Sequence, residues 1–166
     1  GCGSDYYTGQ ATVTSDTKGN VVFAYEGASV DRGPQQVYVK TSADEGRSWG
    51  SRVSLSVAGE NATGPRLASF GARDARIWYM QTSNGDNQDA WNVWYRSSSD
   101  GGRSWSAPVR LSNATTGPGY KSADGFAEIY GDYGEIEVTS AGKTIAAWGE
   151  GSDYVGPGGT WFSVQN

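Results

Sequence analysis

Not one histidine occurs among the 166 residues, so any acid–base or nucleophilic work falls to carboxylates, phenols and hydroxyls. That absence removes Ser-His-Asp and Cys-His catalysis, His-ligated zinc and imidazole proton shuttling together. The remaining reactive groups lie in polar segments between short apolar runs: Glu26, Asp31 and Arg32, then Glu60, Asp86 and Asp89, then Tyr120, Lys121, Asp124, Tyr130 and Asp132, and finally Glu150, Asp153 and Tyr154. Carboxylates of such a set supply general acids and bases. Trp91, Tyr120 and Tyr154 offer ring faces on which a sugar can stack, with sheet packing as the alternative for Trp91. Asn84-Gly85-Asp86-Asn87-Gln88-Asp89 gathers oxygen ligands that suit calcium, Asp86 and Asp89 foremost. It lacks EF-hand spacing, and a plain turn is the alternative. No other cofactor is expected.

The elements that must position these groups are short strands. Seven Trp, ten Tyr and 25 Gly suit many strands and turns and fit helices poorly. First strands are predicted at 11–15, 66–70 and 135–139, and second strands at 21–25, 76–80 and 144–148. Third strands fall at 36–40, 91–96 and 160–164, and fourth strands at 52–57 and 108–111. Ser-x-Asp-x-Gly-x-Ser-Trp occurs twice, 56 residues apart, at Ser42, Asp44, Gly46, Ser48, Trp49 and at Ser98, Asp100, Gly102, Ser104, Trp105. Each copy joins a third strand to a fourth, with Asp, Gly and Ser supplying the chemistry of a tight turn.

Four antiparallel strands per repeat describe a β-propeller blade. The expected organisation is an N-terminal segment at 1–9, blades at 10–63 and 64–127, and a three-stranded blade at 128–166 that lacks its outer strand. Three blades cannot close a ring of four to eight. The chain is therefore expected to be the C-terminal half of a six-bladed propeller, completed by a second chain or a second copy.

The two hairpins are similar to the Asp boxes of bacterial neuraminidase (BNR) repeats, and the chain from about residue 10 to 166 resembles the sialidase-like propeller superfamily. That resemblance assigns the motif residues a structural role, locking the turn and anchoring each Trp between sheets. It implies a glycan partner and places the site on the opposite face, where second-to-third and inter-blade loops meet. Sialidases grip a sugar carboxylate with arginines, whose planar forks bind it bidentately, and attack with a tyrosine beside a glutamate. Tyr133 falls where the family's tyrosine begins the last blade, with packing as its alternative role, and Arg66 stands for one binding arginine. The match then departs. Gln10 occupies the position of the family's glutamate, and Tyr25-Glu26 that of another arginine. Catalysis then requires a different carboxylate set, Glu26 with Asp132 or Glu150, and substrate binding draws on Arg66, Arg32, Trp91, Tyr120 and Tyr154. The expected activity is that of a sialidase-like glycosidase, against two alternatives: a non-catalytic, lectin-like glycan binder and a structural half-propeller.

Charge and composition narrow the partners. A net charge of -5 argues against nucleic acid, which wants a basic face. No apolar run approaches the roughly 20 residues of a membrane-spanning helix. Two sequons, at Asn61 and Asn113, accord with secretion. Cys2, the one cysteine, has no internal partner, and Gly1-Cys2-Gly3-Ser4-Asp5 resembles a bacterial lipoprotein tether, which makes a cell-surface anchor the alternative to free secretion.

Overall fold

The computed structural model describes residues 10–30, 33–82, 91–112, 121–122, 125–126, 134–150 and 159–165. Its strands are β1 (Ala11–Ser15), β2 (Val21–Ala28), β3 (Gln35–Ser42), β4 (Val53–Ser54), β5 (Ala62–Ala68), β6 (Ala75–Gln81), β7 (Asn92–Ser98), β8 (Val109–Arg110), β9 (Lys121–Ser122), β10 (Gly125–Phe126), β11 (Gly134–Val138), β12 (Thr144–Glu150) and β13 (Gly159–Gln165). No helix occurs among the described residues. The strands form sheets in the order β1-β2-β3-β4, β5-β6-β7-β8 and β11-β12-β13, with β9-β10 as a separate hairpin. All pairings are antiparallel between chain neighbours. The protein is an all-β propeller, and the three larger sheets are its blades.

Three departures from the expected strands have physical causes. The inner strand β5 begins at Ala62 rather than Arg66, because Gly64 and Pro65 lie within a register shift between Thr63 and Arg66. A bulge is the one place where a sheet interior accommodates a proline. The outer strands β4 and β8 keep only two residues each, because each lies at the edge of its sheet with a partner on one side alone. The segment expected as a plain inter-blade loop at 112–132 contains the β9-β10 hairpin.

Apolar layers between blades hold the molecule together. Val22, Ala24, Val37, Val39 and Leu55 of the first blade pack against Ala62, Leu67, Ala75, Ile77 and Tyr79 of the second, with Trp94 and Trp105 at the margin. Ala68, Trp78, Met80, Trp91 and Val93 then meet Ile136, Ala146 and Trp148 of the third. Alternation along each strand explains this: one set of side chains faces the previous blade and the other faces the next. Polar bonds pin the same junctions. Arg73 N donates to Asp16 Oδ2 at 2.5 Å and Thr17 N to the Gly71 carbonyl at 2.8 Å. Arg76, held by Asp74, reaches across to the Gly142 carbonyl and Thr144 Oγ1, both at 2.7 Å.

Candidate functional site

Both copies of the repeated motif close by the same bonds. Ser42 Oγ donates to Asp44 Oδ1 at 2.7 Å and accepts Gly46 N at 2.8 Å, while Ser48 gives its N–H and its hydroxyl to the two Asp44 oxygens at 2.8 and 2.6 Å. Ser98, Asp100, Gly102 and Ser104 repeat the pattern, with 2.8, 2.9, 2.9 and 2.5 Å. Gly46 and Gly102 take φ of 85° and 84°, the left-handed region that glycine enters without strain. These donors have an electrostatic consequence. The Ser48 and Ser42 hydroxyls, then the backbone N–H groups, hold the exposed Asp44 carboxyl down to about 2. For Asp100, burial pushes upward as the largest single influence, yet the Ser104, Ser98 and Arg103 hydrogen bonds together outweigh it and bring it to about 2.

The two motif tryptophans differ. Trp105 packs against the core shared by the first two blades, whereas Trp49 stands 42% exposed, edge-on to Phe23 at 6.3 Å. A cavity of about 540 Å³ also opens on the motif face, lined by Asp74, Arg76, Tyr95, Ser97, Trp105, Thr144 and Gln165 among others. Its charged groups are already spent: Arg76 is bound to Asp74, Gly142 and Thr144, and Tyr95 shares a hydrogen bond with Thr144. The cavity holds no unspent acid or base.

On the opposite face the inner strands bring a second group together. Glu26, near the end of β2, is 5% exposed. Its Oε2 accepts the Thr63 hydroxyl and the Gly64 N–H at 3.2 Å, so the β5 bulge turns two donors onto one carboxylate oxygen. Three residues further along β5, Arg66 donates to Gln10 Oε1 at 3.2 Å and to the carbonyls of Gly134 and Pro65, each at 2.9 Å. The guanidinium also lies 5.9 Å from the Trp78 ring. Glu26 N donates to the Gln10 carbonyl at 3.1 Å, which ties the two halves of the cluster through one residue. Glu26 of β2, Arg66 of β5 and Gln10, the residue before β1, are thus linked in one cluster.

Of the residues expected at the site, Glu26 and Arg66 belong to this cluster. Trp91 is 2% exposed within the core of the second and third blades, the packing alternative of its two roles. Tyr133, Asp132, Arg32, Tyr120, Tyr154, Asp86 and Asp89 lie outside the described residues, as does the Glu150 side chain. No group of three or more acidic or cysteine side chains suited to a metal occurs among the described residues. Thr63 and Gly64 were not legible as partners of Glu26, since 37 and 38 residues separate them.

A second repeated clamp also escaped the sequence. Ser56 Oγ accepts Val37 N at 3.0 Å and donates to Gln36 Oε1 at 3.2 Å, and Ser112 does the same with Val93 N and Asn92 Oδ1, both at 2.8 Å. The two serines stand 56 residues apart, the spacing of the hairpin motif, which is the signal that would have found them. This clamp anchors the outer strands on the site face as the Ser-Asp hairpin does on the other. Gln36 Nε2 then donates to the Glu60 carbonyl and Gln81 Nε2 to its carboxylate, each at 2.6 Å, fixing the inter-blade loop beside the cluster.

No family model matches the chain, and no curated protein matches it in sequence. Solved structures do match in fold. An alpha-L-arabinanase of Penicillium chrysogenum, complexed with arabinobiose, is similar at a TM-score of 0.58 with 11% identity, over 94% of this chain and 46% of that one. A PL25 ulvan lyase gives 0.58 with 14% identity over 94% and 41%. The GH93 alpha-L-arabinofuranosidase of Fusarium graminearum gives 0.53 with 16% identity over 93% and 44%. The likeness at such identities is one of fold. The chain spans less than half the length of each.

Proposed function

We propose that this chain is part of a secreted carbohydrate-processing propeller whose glycan binds at the mouth formed by Glu26, Gln10 and Arg66. The observation that carries the proposal is the buried Glu26 carboxylate, oriented by Thr63 and Gly64, beside the fixed Arg66 fork. A glycosidase needs one carboxyl group to act as base or nucleophile and another to act as acid, and the oxocarbenium-like transition state gains from a nearby carboxylate. Glu26 takes the first role. Asp132 or Glu150 takes the second, and Tyr133, the residue before the Gly134 that receives Arg66, is the candidate phenol. Arg66 orients an acidic or hydroxyl-rich ring. The neighbouring folds, an arabinanase, an arabinofuranosidase and an ulvan lyase, support carbohydrate as the substrate class.

One observation favours the lectin-like alternative. Gln10 faces Arg66 with an amide where a sialidase places its glutamate, and an amide cannot draw a proton from a tyrosine.

The deciding experiment incubates the native protein with arabinan oligosaccharides, uronate-containing polysaccharide and α-sialosides, following both reducing-end release and binding. Release that falls at least a hundredfold in Glu26→Gln, with an unchanged circular dichroism spectrum, is the expected result. Binding without release, lost in Arg66→Ala, establishes the lectin-like reading instead. Neither binding nor release from any of the three classes overturns both.

A further inference from the structure

We infer that Glu60 is a specificity-determining residue of the Glu26 mouth, one that selects neutral, hydroxyl-rich glycans and rejects acidic ones. The inference rests on reading that mouth as the glycan site, and it names the substrate class the site takes.

Glu60 lies in the strap that crosses from the first blade to the second, between β4 and β5. Both blades hold it. Gln36 of β3 donates its Nε2 to the Glu60 carbonyl, and Gln81 of β6 donates its Nε2 to Glu60 Oε2, each at 2.6 Å. The two glutamines are themselves fixed. Gln36 Oε1 accepts the Ser56 hydroxyl at 3.2 Å and Gln81 Oε1 accepts Val57 N at 3.0 Å, and the residues are 7% and 4% exposed. Asn61, next in the strap, is gripped in the same way: its Oδ1 accepts Gln35 N and its carbonyl accepts Thr82 N, both at 2.9 Å. A side chain already immobilised costs a ligand less entropy to engage.

The ladders set this strap beside the mouth. Gln36 pairs with Gly27, one residue past Glu26. Gln81 pairs with Ala62, one residue before Thr63, whose hydroxyl donates to Glu26. One strand step is about 3.3 Å, so the two anchors of Glu60 stand one step from Glu26 and from its donor.

The anchors are neutral amides, which orient the carboxylate without cancelling its charge. The ion pairs among the described residues are Arg47–Glu45 and Arg76–Asp74, and neither involves Glu60. Its Oε1 receives no donor among the described residues, and the residue is half-buried. A fixed carboxylate oxygen takes charge-assisted hydrogen bonds from hydroxyl groups, which every neutral sugar ring offers. A uronate or sialoside instead brings another anion to a chain whose net charge is already -5. Among the described residues of the mouth, two carboxylates face the single guanidinium of Arg66, which gives bonds to the Gly134 and Pro65 carbonyls and to Gln10 Oε1. Like charge brought together at a partly desolvated site costs affinity.

The test is calorimetric binding of arabino-, xylo- and gluco-oligosaccharides, against oligouronates and α-sialosides, to the unmodified chain and to Glu60→Gln. Glutamine keeps the side-chain length and an oxygen for Gln81, so the strap stays tied. The unmodified chain is expected to bind a neutral oligosaccharide about tenfold more tightly than any acidic one. Glu60→Gln should weaken the neutral ligand about tenfold, the worth of one charge-assisted hydrogen bond, while acidic ligands gain. A merely structural effect lowers both classes together, and that result would overturn the inference. Tighter binding of acidic ligands by the unmodified chain, or no effect of Glu60→Gln on either class, would overturn it while leaving the mouth as a glycan site. No binding by any oligosaccharide overturns the reading of the mouth and the inference with it. Salt supplies a reading that needs no variant: screening should relieve the rejection of acidic ligands and leave neutral affinity unchanged, and a rejection indifferent to salt overturns the inference.

Discussion

At the scale of single residues, the turn aspartates show how much local chemistry two carboxylates can organise. Asp44 and Asp100 each gather bonds from Ser hydroxyls and backbone N–H groups and lie at about 2, against an ordinary 3.8. A carboxyl group held lower in the folded chain than in the unfolded one binds fewer protons when folded. Its contribution is complete above 3.8 and drains away as the pH falls through about 2. The thermal midpoint should therefore fall on acidification from pH 4 to pH 2, and Asp44→Asn and Asp100→Asn should each flatten that fall; differential scanning calorimetry across this range reads it directly. These residues were legible because every member of the turn lies within seven positions of sequence. Glu26 was legible as a reactive group, but its donors were not, since only the sheet brings Thr63 and Gly64 to it.

At the scale of elements, β11 couples packing to the candidate site. Gly134 faces Trp78 so closely that an added Cβ would overlap Cζ2 and Cη2 of the indole and stand 3.0 Å from the Ala147 carbonyl. Its own carbonyl receives Arg66 Nε. Gly134→Ala should cost about 1–3 kcal/mol through overpacking, measured by urea unfolding, and should weaken glycan binding by displacing the guanidinium. Strand positions were readable from the alternation and from the Gly-Asp turns, and β1, β6, β7 and β12 fall within two residues of expectation. Inner strand β5 shows the limit: Gly64-Pro65 signals a break to any local reading, yet the sheet absorbs the pair as a bulge because blades on both sides hold the strand in place. The brief β4 and β8 were overread for the converse reason, an apolar alternation that the edge of a blade does not enforce.

At the scale of the whole molecule, the blades and their rim should differ in local stability. Composition revealed the class of fold at once, through its aromatics, glycines and repeated hairpin. It could not reveal which side chains meet across a blade junction, because partners there, such as Val22 and Ile77, lie some 50 residues apart. One more consequence follows from the outer strands. Since β4 and β8 are fastened by two ladder pairs each, amide protons at the rim should exchange with solvent well before those of β2 and β6, whose ladders are flanked on both sides. On that expectation, foreign loops grafted onto the rim beside β4 and β8 should leave the inner strands undisturbed.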